Sequence, residues 1–276
     1  MKLRSLLFVP GDRAERFAKA AASGADAIIL DLEDSVVAAK KDAARAAIGD
    51  FLDTAPDGVA RWVRVNPLDS DFIADDLAIA ARADGVMLPK SVSGDSVRDL
   101  AARIGGACPP ILPVASETAA AVFGLGGYGE VSGLLGGLTW GAEDLPAAIG
   151  AASAREADGS YTPPYEVVRA LTLFGAHAAG VAAIETVYPD FRDLAGLSRY
   201  AARGARDGFA GMMAIHPAQV AAINAAFTPS QEDVAMARRI VAAFEADPGA
   251  GALQLDGRMI DAPHLKQARA LIARAG

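Results

Sequence analysis

The chain has 276 residues, of which 52% are hydrophobic, and its formal net charge is −8 at pH 7. This composition excludes an intrinsically disordered chain and allows a large core, and the acidic balance argues against nucleic acid as a partner. A single cysteine, Cys108, excludes an intramolecular disulfide and a zinc cluster built from cysteines. Such low cysteine content is typical of proteins in a reducing compartment. Apolar stretches are too short for a membrane span or a signal peptide, so we expect a cytoplasmic protein without a membrane partner.

Eight short apolar runs, each followed by an alanine-rich stretch, dominate the pattern of the sequence. The runs are continuous rather than alternating, as in strands buried on both faces, and the stretches between them have helical periodicity. In chain order the runs are LLFVP (6–10), AIILDL (27–32), RWVRVN (61–66), GVMLPK (85–90), ILPVA (111–115), LLGGLTW (134–140), VAAIETVY (181–188) and GMMAIHP (211–217). The count of eight predicts an α/β fold of the (β/α)8 TIM-barrel type, and a doubly wound open sheet is the alternative.

The residues after the eighth unit predict a C-terminal helical extension. We expect a barrel domain over 1–226 and a C-terminal segment over 227–276 that packs on a neighbouring subunit. Within this segment, 227–246 predicts a helix, and 247–276 predicts a turn, a short hairpin and a final helix. The long stretch 146–168 is expected to be a functional loop or an oligomer contact.

Ionisable side chains recur at the C-terminal ends of the predicted strands, where barrels of this type carry their active sites. Burying such groups together is costly unless they pair or bind a metal ion. In strand order they are Asp31, Glu33, Asp34, Arg64, Lys90, Glu117, Glu143, Asp144, Glu185 and His216. The sequence therefore predicts a functional site at this end of the barrel.

Two of these carboxylates suggest a metal site. Glu117 and Asp144 follow neighbouring predicted strands, so both can reach one point, and no histidine or cysteine lies beside them in the sequence. An all-oxygen site completed by water and substrate suits Mg²⁺ or Mn²⁺ better than Zn²⁺. The alternative is that each carboxylate pairs with a base or caps a helix.

Three basic side chains each have two interpretations. Arg64, inside an apolar run, can bind a substrate carboxylate through two hydrogen bonds, or it can form an internal ion pair with Asp31 or Glu33. Lys90 is a candidate for steadying an anion, with a solvated lysine as the alternative. His216 is a candidate acid–base group, with a hydrogen-bonded structural histidine as the alternative.

Eight motifs occur in a fixed order along nearly the whole chain, from residue 3 to about 273. They are LLFVPGDRAERF, DLEDSV, RVNP, LPK, the ET pair at 117–118, WGAEDL, AIHPAQV and DGRMIDAPHLKQAR. Together they resemble the citrate lyase beta subunit-like group of the HpcH/HpaI aldolase family. The resemblance implies a TIM barrel, trimeric or hexameric, that uses Mg²⁺ to cleave or form malyl-, citramalyl- or citryl-type CoA thioesters.

The resemblance also implies roles for individual residues. Glu117 and Asp144 match the metal ligands, and Glu117 is also expected to contact the substrate. Arg64 matches the arginine that binds the carboxylate and carbonyl end of the substrate. Asp261 matches an aspartate that acts as an acid–base group in the site of a neighbouring subunit. The residues expected to support the site are Asp31, Glu33, Asp34, Lys90 and His216.

We therefore expect an Mg²⁺-dependent carbon–carbon lyase that releases acetyl-CoA and a 2-oxo acid. The alternatives are a hydroxyacyl-CoA thioesterase, an aldolase acting on free hydroxy-oxo acids, and a non-autonomous lyase subunit that receives its thioester on an acyl carrier protein. Two departures from the family pattern bear on these expectations. Met212 stands where a lysine is usual, and Glu185 stands where an aspartate is more common.

Overall fold

The computed structural model describes residues 2–54 and 58–275. Two compact units divide the chain, one ending at Asn224 and the other beginning at Ala225. Among the described residues, we find no helix with the length and apolar character that a membrane crossing requires.

Eight parallel strands form the first unit. They are β1 (Ser5–Pro10), β2 (Ala27–Asp31), β3 (Ala60–Arg64), β4 (Gly85–Leu88), β5 (Ile111–Pro113), β6 (Leu138–Thr139), β7 (Ala183–Glu185) and β8 (Gly211–Ala214). Hydrogen bonds connect them in the order β5-β4-β3-β2-β1-β8-β7-β6. A parallel bridge between Val114 and Thr139 joins the two ends of this order, and the amide of Gly136 donates to the carbonyl of Ile111 at 2.8 Å. The predicted barrel is confirmed.

Among the described residues, eight α-helices connect the strands, and a ninth begins in this unit and ends just beyond it. They are α1 (Phe17–Ala21), α2 (Lys41–Thr54), α3 (Ile73–Ala80), α4 (Gly94–Ile104), α5 (Ala119–Gly124), α6 (Leu145–Ile149), α7 (Pro163–Ala178), α8 (Leu194–Asp207) and α9 (Pro217–Phe227). Side-chain oxygens cap three of them, because Ser93, Thr118 and Asp193 each accept a hydrogen bond from a backbone amide of the first turn. Short 3-10 helices cover Ala14–Arg16, Ala38–Lys40 and Leu125–Leu134.

Several strands are shorter than the apolar runs that predicted them. The run over 85–90 ends as a strand at Leu88, because the next residue, Pro89, has no amide hydrogen for the ladder. The run over 134–140 contributes only Leu138–Thr139, since Leu134 still belongs to a 3-10 helix. An apolar run therefore locates each strand but overestimates its length.

The barrel interior packs around one large aromatic side chain, Trp62 of β3. Trp62 lies in a buried cluster with apolar side chains from strands around the barrel, among them Leu6, Ile29 and Ile184. Two glycines make room for its ring. A Cβ atom at Gly85 or at Gly136 would lie 2.5 Å from ring atoms of Trp62, far inside van der Waals contact.

The second unit contains a helical pair and a hairpin. Its elements are α10 (Gln231–Ala246), β9 (Ala252–Leu255), β10 (Arg258–Asp261) and α11 (Ala262–Ala275). The two strands are antiparallel, and the turn between them uses Asp256 and Gly257 with φ of 50° and 77°. An Asp-Gly pair with two positive φ values is typical of a tight hairpin turn. The predicted hairpin and final helix are thus both present.

The close approach of Gly136 to Trp62 gives a first prediction. We expect Gly136→Ala to lower the free energy of unfolding by about 1–3 kcal/mol, because the added methyl group overpacks the ring. Gly126→Ala is the matched control, since a Cβ atom at Gly126 meets no atom within 4 Å. Urea unfolding followed by tryptophan fluorescence measures both variants, and equal stabilities would contradict the packing argument.

Candidate active site

A cavity of about 330 Å³ opens at the C-terminal ends of the barrel strands. One part of its wall is ionic and the other part is apolar. The ionisable lining residues are Asp31, Asp34, Arg64, Glu117, Glu143 and Asp144. The apolar lining includes Phe8, Val114, Val187, Met213 and Ile215. The structure thus brings most of the predicted strand-end residues to one cavity.

Arg64, the last residue of β3, is held by two carboxylates that follow from β2. Its Nε and Nη2 donate to the two carboxylate oxygens of Asp31 at 2.6 and 2.7 Å, and its Nη1 lies 2.8 Å from Oε2 of Glu33. The guanidinium carbon lies 4.9 Å from the centroid of the Phe8 ring. The internal ion pair considered from the sequence is therefore present, and the same guanidinium also lines the cavity.

The two carboxylates beside Arg64 differ in their hydrogen bonds. Burial favours a raised pKa for Asp31, but the hydrogen bonds from Arg64 prevail and hold the pKa below its usual value. Glu33 is buried, and neither of its oxygens accepts an aligned hydrogen bond from the described residues, so the short contact with Arg64 is an ion pair only. Burial raises the pKa of Glu33 to about 8. Asp31 is therefore the carboxylate that anchors Arg64. Glu33 is the carboxyl group that takes up a proton more readily.

Glu117 and Asp144 surround one cation, the ammonium of Lys90. Its Nζ lies 2.6 Å from Oδ1 of Asp144 and 3.3 Å from Oε1 of Glu117. The backbone amide of Lys90 also donates to Oε2 of Glu117 at 2.5 Å, from a backbone with φ of 52° that is unusual for a residue other than glycine. The interpretation of Lys90 as a solvated lysine is wrong, because its ammonium lies among carboxylates.

The surroundings shift these three groups in different directions. Burial raises the pKa of Glu117 to about 7. The pKa of Asp144 is lowered, because hydrogen bonds from Lys90 and Glu117 outweigh the effect of burial. The pKa of Lys90 is raised, since the charge of Glu117 and the other carboxylates prevails over burial, which opposes the charged form. Burial therefore makes Glu117 the more easily protonated of the two carboxyl groups, and Asp144 the one that is held in its ionised form.

The donor set of Glu117 and Asp144 fits a magnesium ion. Both carboxylates already converge on a single cation, and every side-chain donor of the pair is oxygen. Within the described residues, no group of three or more His, Cys, Asp or Glu side chains is arranged to hold a metal. A site with two protein carboxylates suits Mg²⁺, which usually keeps several water ligands and binds substrate oxygens.

His216 immediately precedes α9 and is not among the residues that line the cavity, although its neighbour Ile215 is. Its Nδ1 accepts a hydrogen bond from the amide of Ala218 at 3.1 Å, and its ring stacks on Phe191 with centroids 4.8 Å apart. These contacts correspond to the structural interpretation of this histidine.

Asp261 belongs to the C-terminal unit, where it ends β10. Its Oδ1 lies 2.5 Å from Nδ1 of His264, and both side chains are partly exposed. Its role as an acid–base group in the site of a neighbouring subunit stays a prediction.

Glu185, at the end of β7, is buried and is not among the residues that line the cavity. Its Oε1 accepts hydrogen bonds from Nε1 of Trp140 at 2.6 Å and from the hydroxyl of Tyr200 at 2.9 Å. Its Oε2 accepts from Nε of Arg169 at 2.6 Å, and Arg169 also contacts Asp207 at 2.8 Å. Glu185 therefore connects β7 to the residue that follows β6 and to helices α7 and α8.

Sequence reasoning missed the partners of Glu185 and the apolar wall of the cavity. Arg169 and Tyr200 lie within helical stretches whose periodicity does not distinguish them from surface residues. Phe8, Val114 and Met213 belong to apolar runs, and such runs give no indication of which residues reach the cavity.

A closed parallel barrel with an ionic cavity at its C-terminal strand ends defines a TIM-barrel protein with an enzyme-type site. Comparison with known families identifies the family within this class. The chain belongs to the HpcH/HpaI aldolase/citrate lyase family, whose sequence profile matches residues 4–217.

Three relatives match almost the full length of the chain. A citrate lyase subunit beta-like protein of Mycobacterium tuberculosis is 40% identical over 98% of this chain and 94% of its own. A (3S)-malyl-CoA thioesterase of Cereibacter sphaeroides is 35% identical over 99% of this chain and 94% of its own. The human mitochondrial citramalyl-CoA lyase is 33% identical over 99% of this chain and 85% of its own.

A solved structure has the same fold over the same length. The crystal structure of CitE from M. tuberculosis in complex with magnesium, acetoacetate and coenzyme A covers 99% of this chain and 98% of its own, with a TM-score of 0.84 and 38% identity. The similarity therefore includes both the barrel and the C-terminal residues.

The buried network around Glu185 gives a second prediction. We expect Glu185→Gln to lower the free energy of unfolding by about 3–5 kcal/mol, because it leaves the buried guanidinium of Arg169 with less compensating charge. Glu166→Gln is the matched control, since Glu166 pairs with Arg203 where both side chains are about one-third exposed. That pair is worth at most about 1 kcal/mol. Chemical unfolding measures both, and a smaller loss for Glu185→Gln than for Glu166→Gln would contradict this role.

Proposed function

We propose that this chain is an Mg²⁺-dependent acyl-CoA lyase. It cleaves, or forms, a malyl-, citramalyl- or citryl-type CoA thioester to acetyl-CoA and a 2-oxo acid. The observation that carries the proposal is the placement of Arg64 and the Glu117–Asp144 pair in the wall of one cavity. The relatives named as a citramalyl-CoA lyase and as CitE with magnesium and coenzyme A support it.

Glu117 and Asp144 are the residues that would hold the metal ion. When bound there, Mg²⁺ supplies a Lewis acid that polarises the oxygen of the oxo-acid fragment. Arg64 binds the carboxylate and carbonyl end of that fragment and offers hydrogen bonds to the negative charge that develops. Its two bonds to Asp31 fix the direction from which it does so.

The reaction needs one proton to leave and one to return. A base takes the proton of the substrate hydroxyl, and the carbinol carbon becomes the carbonyl of the 2-oxo acid. The electron pair of the broken carbon–carbon bond passes to the α-carbon of the thioester, and the resulting enolate takes a proton to give acetyl-CoA. Because the thioester carbonyl stabilises this enolate, no lysine Schiff base is required, and Lys90 has no covalent role.

The charge of the wall favours a substrate with few carboxylates. Five carboxylate side chains line the cavity. Arg64, the neighbouring ammonium of Lys90 and a bound Mg²⁺ would together compensate four of these charges, which leaves the wall acidic. A citryl-type thioester brings an additional carboxylate into this surrounding, and like charges at close range are costly. The apolar side formed by Phe8, Val114 and Met213 suits the hydrogen of a malyl group or the methyl of a citramalyl group.

Thioester hydrolysis is the second candidate, and a specific observation supports it. The thioesterase relative, at 35% identity, resembles this chain as closely as the human lyase does, at 33%. In that reaction water attacks the thioester carbonyl and the carbon–sulfur bond breaks, with the same two carboxylates holding the metal ion.

The third prediction is the product pattern. With Mg²⁺ and a panel of malyl-, citramalyl- and citryl-CoA, we expect a 2-oxo acid and acetyl-CoA in equal amounts, with citryl-CoA the poorest substrate because of the acidic wall. Chromatography of both products measures this directly. Free CoA without a 2-oxo acid would show thioester hydrolysis and would contradict the lyase assignment. If no thioester is turned over, the hypothesis of an autonomous enzyme is rejected. That result would favour a lyase subunit that depends on an acyl-carrier partner.

Asp144→Ala tests the metal site within the same assay. We expect a loss of Mg²⁺ affinity measured by calorimetry, and a loss of turnover of at least about 100-fold, since the charge-stabilising group is removed. Asp50→Ala is the control, because Asp50 is an exposed residue of α2 and is not among the residues that line the cavity. Unchanged affinity and turnover in Asp144→Ala would refute the proposed ligand.

The fourth prediction concerns a shared site in a homotrimer or homohexamer. We propose that Asp261 is the acid–base group of a neighbouring subunit, as the family resemblance implies, with residues 227–276 packing on that subunit. Asp261→Ala and Arg64→Ala should each be inactive alone, and mixing them should restore part of the activity through hybrid sites. Absence of recovery after verified subunit exchange would show that Asp261 is not shared.

A further inference from the structure

Lys41 is a buried ammonium that no part of the proposed chemistry uses. It is the first residue of α2, and its Nζ donates to the carbonyl oxygens of Leu32 at 2.6 Å and Glu33 at 3.1 Å. A third hydrogen bond goes to Oδ1 of Asn66 at 2.7 Å. An ammonium has three donors, and these three acceptors use all of them.

The partner Asn66 is itself fixed from the opposite side. Its amide and its Nδ2 both donate to Oδ2 of Asp76 at 2.8 and 2.7 Å. The other oxygen of Asp76 accepts from Nε of Arg45 at 2.7 Å, and Arg45 lies one helical turn after Lys41 in α2. Asn66 and Asp76 are both buried, so this network holds α2 and α3 against the segments that follow β2 and β3.

The two carbonyls that Lys41 binds belong to the turn that anchors Arg64. On the cavity side, the carboxylate of Asp31 closes this turn by accepting from the amides of Glu33 at 2.9 Å and Ser35 at 3.2 Å. The backbone amide of Leu32 donates to the carbonyl of Arg64 at 2.9 Å. The carboxylate of Asp31 therefore binds the amides of this turn, and the ammonium of Lys41 binds its carbonyls.

We infer that Lys41 is a positioning residue, which holds the turn at Leu32 and Glu33 so that Asp31 and Glu33 direct Arg64 into the cavity. The link to catalysis rests on the proposed lyase function, whereas the link to the turn does not. An apolar side chain at this position would remove the donor of the Leu32 carbonyl and of the Asn66 amide oxygen, which is costly for buried groups. The Glu33 carbonyl would keep only its hydrogen bond from the amide of Val36 at 3.1 Å. The turn would shift to regain hydrogen bonds, and a displacement of about 1 Å in a substrate-binding group lowers turnover by roughly 100-fold.

The first test measures the turn without using turnover. In hydrogen exchange on the full chain, Lys41→Met should speed exchange of the amides over residues 32–36 by about tenfold, because the turn opens more often. Lys40→Met is the matched control, since Lys40 is the neighbouring lysine but is half exposed and pairs with Asp12. Equal exchange in the two variants would overturn the inference whether or not the chain proves to be a lyase. If Lys41→Met does not fold, Lys41→Gln, which keeps two donors, replaces it.

The second test asks whether Lys41 acts through Arg64. We expect Lys41→Met to lower kcat/KM by about 10–100-fold in the wild-type background. In an Arg64→Lys background the same change should have less than about a threefold effect, because residues that act as one unit are not additive. An equal loss in both backgrounds would overturn the inference, since it would show that Lys41 acts independently of Arg64. A wild-type chain without lyase activity would refute the proposed function and leave the decision on the turn to the exchange result.

Discussion

The ion pair between Arg64 and Asp31 is the interaction on which the rest of the site depends. Removing a guanidinium and a carboxylate from water is costly, and only good geometry with further hydrogen bonds compensates for it. Both conditions hold, because the pair is bidentate and Asp31 also accepts from the turn that follows β2. The consequence is a rigid cation at a strand end. A side chain with five donors and two of them committed to Asp31 has a fixed orientation, and its remaining donors are available to Glu33 and to the cavity.

The second constraint is the excess of negative charge around this cation. Glu33 and Glu117 are buried, and the pKa of each is raised, to about 8 and about 7. Lys90 lies within 4 Å of both and 2.6 Å from Asp144. Arg64 contacts Asp31 and Glu33, so two cations face four carboxyl groups. Such an arrangement is incomplete as a purely structural cluster, because it leaves carboxylates that favour a further positive charge. This imbalance is the physical reason why the donor set suits a divalent cation.

The sequence was sufficient for the architecture because the barrel has one dominant pattern, eight continuous apolar runs that alternate with amphipathic stretches. It also located the strand-end charges, since Arg64 lies inside an apolar run and Glu117 and Asp144 come shortly after one. The pairing of these charges was left open, because Arg64 can face a substrate or Asp31. The structure shows Arg64 bonded to Asp31, and the same guanidinium lines the cavity. The burial of Lys41 and Arg169 could not be predicted from the sequence, for a different reason. Each lies in a helical stretch in which a buried lysine or arginine has the same spacing as a solvated one, and only tertiary contacts distinguish them.

The same cavity explains why lyase and thioesterase chemistry are close alternatives. Both reactions need an electrophile held by Glu117 and Asp144 and a cation at the carboxylate end of the acyl group. They differ in the need for a water molecule at the thioester carbonyl. The described lining of the cavity contains apolar side chains such as Val114 and Met213 as well as the hydroxyls of Ser35 and Thr186, so it is compatible with either reaction. Carbon–carbon cleavage needs no such water, because the hydroxyl oxygen that becomes the new carbonyl is already part of the substrate.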